Sequence, residues 1–229
     1  MSTLILTGWT QPVDALAHVV DDPILFDYSE YPNADAAIEA LKKTPHTQCV
    51  GWSMGGQLAL RAIAAGALKP KHLTLIAAPY QFVSDDPSLK GMDSRTFELF
   101  RASYASDAAR TAQRFHGLLA KGDREMKRLL SQFKSHPVVH NTARFLPWLD
   151  DLAAYSLARE NLASVPPTLI IHGMNDAIVP HAQGEKLQQV LPHAQLSSWA
   201  EVGHAPHVHD AARLRAEIQS HRALHTVAA

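Results

Sequence analysis

Short apolar segments recur in both end regions of the chain and alternate with stretches whose apolar residues have helical spacing. Six of the short segments are predicted strands, at residues 3–6, 24–26, 48–52, 73–77, 168–172 and 196–199. Continuous apolar runs of this length are typical of strands buried on both faces. Helices are predicted at residues 33–43, 55–65, 182–190 and 210–222. The alternation predicts an α/β fold, with a mostly parallel sheet and helices on both of its faces.

The middle of the chain does not follow this alternation. Between residues 87 and 162 no segment has a strand pattern, and four helices are predicted, at residues 94–104, 107–120, 123–134 and 141–157. A helical block between two strands is expected to cover the carboxyl edge of the sheet, where ligands bind in such folds. We therefore predict a core made of residues 1–86 and 163–229, and an inserted helical cap made of residues 87–162.

Length and composition narrow the class of protein. A chain of 229 residues suits one domain with an insertion. No apolar run approaches the ~20 residues that a membrane span needs, and no basic leader precedes the first strand. The single cysteine, Cys49, excludes an internal disulfide and fits a reducing compartment. We expect a cytoplasmic protein that neither enters a membrane nor binds nucleic acid.

One turn carries a nucleophile motif. Gly51-Trp52-Ser53-Met54-Gly55 matches the pattern G-x-S-x-G and lies between a predicted strand and a predicted helix. A sharp turn there lifts Ser53 above the sheet, and the two glycines let neighbouring backbone pass close by. The Met54 amide, at the helix N-terminus, then points at an oxyanion that forms beside Ser53. The motif predicts Ser53 as the nucleophile and Met54 as an oxyanion donor.

A serine hydroxyl needs a base and a group that orients the base. Asp176 follows the predicted strand at 168–172, and His204 lies between the last predicted strand and the last predicted helix. The order Ser, Asp, His is the one found with this motif. His204 is expected to take and return the proton of Ser53, while Asp176 holds the imidazole tautomer. Trp9, after Gly8 at the end of the first strand, is the expected second oxyanion donor.

Some histidine spacings resemble those of metal sites. His204, His207 and His209 lie close together in sequence, and His221 and His225 have helical spacing. Neither group is accompanied by an acidic or cysteine partner. No glycine-rich phosphate loop or dinucleotide motif is present, so we expect no metal and no cofactor. Cys49, within a predicted strand, is expected to be a core residue.

The predicted cap is basic. Residues 95–134 contain nine Lys or Arg and four Asp or Glu, a net charge of +5, whereas the rest of the chain carries −6. Arg110 and Arg114, like Arg124 and Arg128, are four residues apart, so each pair is predicted to share a helix face. The charge is typical either of a solvated helix surface or of a dock for an acidic partner.

Several motifs together resemble one family, the α/β-hydrolase esterases of biotin synthesis, which remove the methyl group from pimeloyl-[acyl-carrier protein] methyl ester. The similar segments are Gly8-Trp9, Gly51 to Gly56, the turn from Gly173 to Asp176, and Gly203-His204-Ala205-Pro206. The resemblance implies that Arg110, Arg114, Arg124 and Arg128 contact the acidic acyl-carrier protein. It also implies that Trp9 and Phe115 contact the substrate, with Phe115 lining the acyl pocket.

The chain departs from this family near its beginning. Thr7-Gly8 replaces the usual His-Gly, and the segment between the first strand and the Ser53 turn is short. We therefore expect a more open pocket with an unchanged triad. The expected function is a cytoplasmic carboxylesterase that forms an acyl-enzyme and acts on the carrier-linked ester. Two alternatives stay open: a broad short-chain esterase or thioesterase, and a non-catalytic binding module with this fold.

Overall fold

The structure is a computed structural model that describes residues 2–135 and 141–226. Its six strands form one sheet with the order β2-β1-β3-β4-β5-β6, and every pairing is parallel. The strands are β1 (Thr3–Leu6), β2 (Pro23–Leu25), β3 (Gln48–Trp52), β4 (His72–Ile76), β5 (Thr168–Gly173) and β6 (Ala194–Trp199). All six predicted strands are present, with bounds shifted by two residues at most. The predicted α/β fold with a parallel sheet is confirmed.

Helices cover both faces of the sheet. Every residue of β1, β3 and β5 is buried, which requires a covering layer on each side because successive side chains point to opposite faces. The helices of the two end regions are α1 (Ala34–Leu41), α2 (Met54–Ala64), α7 (His181–Val190), α8 (Pro206–His209) and α9 (Ala211–Thr226). Helix α2 packs against β1 and β3, and α7 packs against β5 and β6.

The strand order reverses between β1 and β3. From β1 the chain moves outward to β2 on one side, and from β3 it moves to β4 on the other side. The connections therefore diverge above the carboxyl ends of β1 and β3, which leaves a crevice where ligands bind in parallel sheets. The Gly8-Trp9 and Ser53 segments directly follow these two strands.

Four further helices lie between β4 and β5 in the chain: α3 (Ser94–Ser106), α4 (Ala108–Leu119), α5 (Met126–Ser135) and α6 (Thr142–Ala154). Helix α5 begins three residues later than predicted. Arg124 therefore precedes the helix, and the prediction that Arg124 and Arg128 share a helix face is wrong. The segment instead forms a turn closed by the Met126 amide and the Asp123 carbonyl, and the Arg124 amide donates across the fold to the Glu201 carbonyl over 2.8 Å.

Side chains fasten this helical insertion to the core. Trp9 Nε1 donates to the Phe145 carbonyl of α6 over 2.9 Å, and Arg144 pairs with Asp27 at 2.9 Å. Arg61 of α2 also pairs with Asp151 of α6. The insertion is thus held against the segments that follow β1 and β2. In the part of the chain that the structure describes, we find no helix long and apolar enough to cross a membrane.

Candidate active site

Ser53 lies on a strained turn between β3 and α2. Its backbone has φ 54° and ψ −122°, a region that a non-glycine residue adopts only when its surroundings enforce it. A Cβ on Gly51 would lie 2.5 Å from Gly56 Cα, and a Cβ on Gly55 would lie 2.1 Å from the Leu6 carbonyl oxygen. Only glycine fits at either position, because backbone rather than flexible side chain occupies the space. The predicted strand-turn-helix setting is present.

Three side chains from three loops meet at this turn. His204, between β6 and α8, places Nε2 2.9 Å from Ser53 Oγ and Nδ1 2.7 Å from Asp176 Oδ2. All three residues are buried. In the tautomer that these contacts favour, Nδ1–H donates to the carboxylate and Nε2 accepts from the serine hydroxyl. The structure thus brings together the three residues that the sequence predicted as a triad.

Asp176 is held as a carboxylate. Its Oδ1 accepts the Ile178 and Val179 amides at 2.8 and 2.9 Å, so the loop after β5 turns around it. Burial alone raises the pKa of Asp176, but attraction to His204 and hydrogen bonds from His172 and His204 outweigh burial and hold that pKa well below its usual range. An ionised carboxylate beside Nδ1 is the arrangement that stabilises a protonated imidazole.

Two residues that the sequence prediction missed support this arrangement. His172, fully buried at the end of β5, places Nε2 2.8 Å from the Val179 carbonyl oxygen and 3.5 Å from Asp176 Oδ2. Trp52 donates from Nε1 to the His204 carbonyl over 2.9 Å. Trp52 lies inside the Ser53 motif, and His172 is the last residue of a predicted strand. Their contacts could not be predicted, because a buried residue at the end of a strand is equally well explained by packing in the core.

The predicted oxyanion donors flank Ser53. A Cβ on Gly8 would lie 3.5 Å from Ser53 Cβ, so the Gly8-Trp9 segment passes directly beside Ser53. The Met54 amide is the first of α2. Within residues 2–135 and 141–226, neither the Trp9 amide nor the Met54 amide donates to another protein group. Both amides are therefore available to an oxygen that forms beside Ser53.

Phe115 and Trp9 belong to one aromatic cluster between the insertion and the core. The Trp9 ring meets Tyr104, Phe115 and Phe100 edge-on, at centroid distances of 4.6, 5.4 and 5.6 Å. Phe115 is 8% exposed. The cluster adjoins the Gly8-Trp9 segment that passes beside Ser53, so Phe115 is connected to the site through its contact with Trp9. Its packing equally serves cohesion of the insertion.

The four predicted arginines fall into two pairs with different surroundings. Arg110 and Arg114 are exposed on α4, and within the described residues neither makes an ion pair. Arg124 pairs with Glu201 at 3.5 Å. Arg128 donates to the Val208 and His209 carbonyls at 3.2 and 2.7 Å. The second pair therefore joins the insertion to the segment around His204.

The described residues contain neither a cluster that could bind a metal ion nor a reactive thiol. Within them, we find no group of three or more His, Cys, Asp or Glu side chains that could hold a metal ion. Cys49 is buried in β3, and burial raises the pKa of its thiol to about 12. A thiol with this pKa stays protonated near neutral pH and is a poor nucleophile.

Comparison with known proteins agrees with this geometry. The model of the alpha/beta hydrolase family matches residues 7–217. A pimeloyl-[acyl-carrier protein] methyl ester esterase of Nitrosomonas europaea is 33% identical over 161 residues, 68% of this chain but only 63% of the relative. The matched region thus spans less than two thirds of that relative. The same-named enzyme of Vibrio parahaemolyticus is 28% identical over 86% of this chain and 82% of its own length.

Solved structures agree on the fold. An esterase from Exiguobacterium antarcticum superposes with a TM-score of 0.78, covering 96% of this chain and 91% of the esterase, at 18% sequence identity. The sheet order, the Ser53 turn and the family match over residues 7–217 lead to one conclusion. The chain belongs to the alpha/beta hydrolase family.

Proposed function

We propose that this chain is a serine carboxylesterase that hydrolyses the methyl ester of pimeloyl-acyl-carrier protein. The observation that carries the chemistry is the hydrogen-bonded series from Ser53 Oγ through His204 to Asp176, with distances of 2.9 and 2.7 Å. The relatives named as pimeloyl-[acyl-carrier protein] methyl ester esterases support the choice of substrate. The reaction needs no cofactor, and the single buried cysteine is compatible with the cytoplasm as its place of action.

In the first half of the reaction, Ser53 Oγ attacks the ester carbonyl while His204 Nε2 takes the hydroxyl proton. The carbonyl oxygen becomes an oxyanion, which accepts hydrogen bonds from the Met54 and Trp9 amides. Donors fixed on a helix N-terminus and on the segment after β1 need little reorganisation as the charge develops. The protonated His204 then returns its proton to the departing methoxy oxygen, and methanol leaves an acyl-Ser53.

In the second half, a water molecule replaces the alcohol. His204 Nε2 takes a proton from the water, the resulting oxygen attacks the acyl carbonyl, and the same two amides hold the second oxyanion. Collapse of this intermediate breaks the bond to Ser53, and His204 returns the proton to Oγ. The products are the free carboxyl group and the original serine.

We propose that residues 87–162 act as a cap that receives the carrier protein. Arg110 and Arg114 support this, because two exposed arginines on one face of α4 form no ion pair within the described residues. Each guanidinium can bind a carboxylate or a phosphate through two parallel hydrogen bonds. Arg124 and Arg128 attract an acidic partner less strongly, because Glu201 and Glu125 lie within ion-pair distance and offset their positive charge.

A second candidate function keeps the chemistry and changes the substrate. The contacts of Arg124 and Arg128 with the core favour a broad short-chain esterase or thioesterase, in which these arginines only hold the cap. The deciding experiment compares kcat/KM for pimeloyl-carrier-protein methyl ester with kcat/KM for free dimethyl pimelate. The proposal predicts a clear preference for the carrier-linked ester. Equal values would favour the broad esterase, and no turnover of either ester, or of p-nitrophenyl acetate, would contradict the hydrolase chemistry.

A further inference from the structure

The turn between α4 and α5, residues 120–124, packs against the loops that carry the acid and the base. Gly122 has φ +84°, and a Cβ there would lie 2.3 Å from the Asn175 carbonyl oxygen. Asn175 Nδ2 in turn donates to the Gly122 carbonyl over 3.0 Å. A Cβ on Gly203 would lie 3.0 Å from the Lys121 carbonyl oxygen. This α4–α5 turn therefore touches the residue before Asp176 and the residue before His204.

Asp123 is the buried carboxylate of this turn, with 6% of its surface exposed. Its Oδ2 accepts the Gly203 amide at 3.0 Å. Its Oδ1 accepts from His209 Nδ1 at 2.8 Å and from the Glu125 amide at 2.7 Å. Gly203 and His209 lie on either side of His204, so one carboxylate of the insertion fixes both ends of the segment that carries the base.

The neighbouring residue adds a second connection. The Arg124 amide donates to the Glu201 carbonyl over 2.8 Å, and the Arg124 side chain pairs with the Glu201 carboxylate. Residues 200–205 form no helix or strand, so periodic backbone hydrogen bonds do not hold the position of His204. Hydrogen bonds and the ion pair with the α4–α5 turn hold this segment instead.

We propose that Asp123 is a positioning residue, which holds the backbone of His204 so that Nε2 stays within hydrogen-bond distance of Ser53 Oγ. The inference rests on the proposed function, because it assigns to His204 the role of base. Hydrogen bonds to a charged, buried acceptor are stronger than neutral ones. A displacement of a reacting group by about 1 Å can cost on the order of 100-fold in rate.

The test compares three variants on p-nitrophenyl acetate. Asp123→Ala should lower kcat by about 10- to 100-fold with little change in KM, because Asp123 acts through the alignment of His204 and not through substrate contact. Asp123→Asn should recover only part of kcat, since its amide oxygen can still accept the Gly203 amide, whereas its NH2 group replaces the oxygen that accepts from the Glu125 amide and His209. Asp107→Ala is the matched control on the same cap. Asp107 is exposed and caps α4 by accepting the Arg110 amide at 3.0 Å.

A second readout does not require turnover. The proton on His204 Nδ1 should give a low-field proton NMR signal, assigned by its loss in His204→Gln. The signal should weaken or shift in Asp123→Ala, stay close to wild type in Asp123→Asn, and be unchanged in Asp107→Ala. A lower melting temperature in Asp123→Ala, together with wild-type kcat and an unchanged signal, would overturn the inference, since Asp123 would then only stabilise the fold. If wild-type protein hydrolyses no ester, the proposed function fails, and this signal still decides the role of Asp123.

Discussion

The indole Nε1 of Trp52 donates a hydrogen bond to the backbone carbonyl of His204 over 2.9 Å. Trp52 directly precedes Ser53 and is fully buried in the centre of the sheet. The bond therefore links the strand that leads into Ser53 to the loop that carries His204. The loop, residues 200–205, has no regular structure, so this bond and the bond from the Gly203 amide to Asp123 are tertiary contacts on its main chain.

Replacing Trp52 tests this link. Trp52→Phe keeps an aromatic ring but leaves the buried His204 carbonyl without its donor, which should cost about 1–3 kcal/mol of stability. The freed loop should also lower kcat on a small ester by about 10-fold or more. Trp148→Phe is the matched control, because Trp148 is equally buried and donates to the Tyr31 carbonyl over 3.0 Å. Kinetics and urea unfolding of both variants provide the measurement. Equal kcat losses in the two variants would mean that only stability is affected.

Removal of the nucleophile tests the assignment of Ser53. Ser53→Ala should lower kcat by about 10⁶-fold, the scale seen when a comparable triad loses its serine, while circular dichroism stays unchanged. Ser156→Ala is a suitable control, since Ser156 has the same 8% exposure and donates only to Gln81. The assay is burst and steady-state release of p-nitrophenol. Substantial turnover by pure, folded Ser53→Ala would rule out Ser53 as the nucleophile.

The two arginine pairs should respond differently to charge reversal. Changing Arg110 and Arg114 to Glu should reduce kcat/KM on the carrier-linked ester by about 2- to 30-fold, since exposed ion pairs contribute ~0.2–1 kcal/mol each. Hydrolysis of the free ester should not change. Changing Arg124 and Arg128 to Glu should reduce both activities, because it places acids beside Glu201 and the carbonyls of residues 208 and 209.

Salt provides the control for the arginine variants. At about 1 M salt the Debye length is about 3 Å, so the wild-type preference for the carrier substrate should shrink toward that of the Arg110 and Arg114 variant. Measurements of kcat/KM on both substrates at low and high salt test this. If the preference for the carrier-linked ester persists at high salt, α4 is only a solvated surface. The same conclusion follows if the Arg110 and Arg114 variant has the wild-type kcat/KM on both substrates.

His221 should make the protein sensitive to acid. Burial, aided by His225 and His72, lowers the pKa of His221 to about 4 in the folded protein, whereas an unfolded histidine titrates near 6.5. Since the folded state resists protonation, the free energy of unfolding should fall as the pH drops from about 6.5 toward 4. His221→Phe should show a smaller fall. His193→Asn, at an exposed position, is the control, and urea unfolding at pH 7.5 and pH 5 is the measurement. An identical pH dependence in His221→Phe and wild type would contradict the prediction.

Much of the fold followed from local pattern. Buried parallel strands are short and continuously apolar, so all six were predicted within two residues. The Ser53 turn was equally predictable, because close backbone contacts at Gly51 and Gly55 exclude every other residue type. Asp176 and His204 each follow a strand, and in a parallel sheet the carboxyl ends of strands meet at one edge. Their convergence on Ser53 is therefore a consequence of topology that the sequence itself encodes.

Other features depend on contacts between residues far apart in the chain. Asp123 has the local pattern of a helix cap, yet its carboxylate accepts from Gly203 and His209, 80 and 86 residues away. Arg124 has helical spacing to Arg128, yet it precedes α5 and its amide donates to Glu201, 77 residues away. A capping residue or an exposed arginine can satisfy its hydrogen bonds locally or across the fold, and the sequence pattern is the same in both cases. The sequence by itself thus determined the sheet and the positions of the triad residues, and only the tertiary structure decided which residues of the insertion hold the base in place.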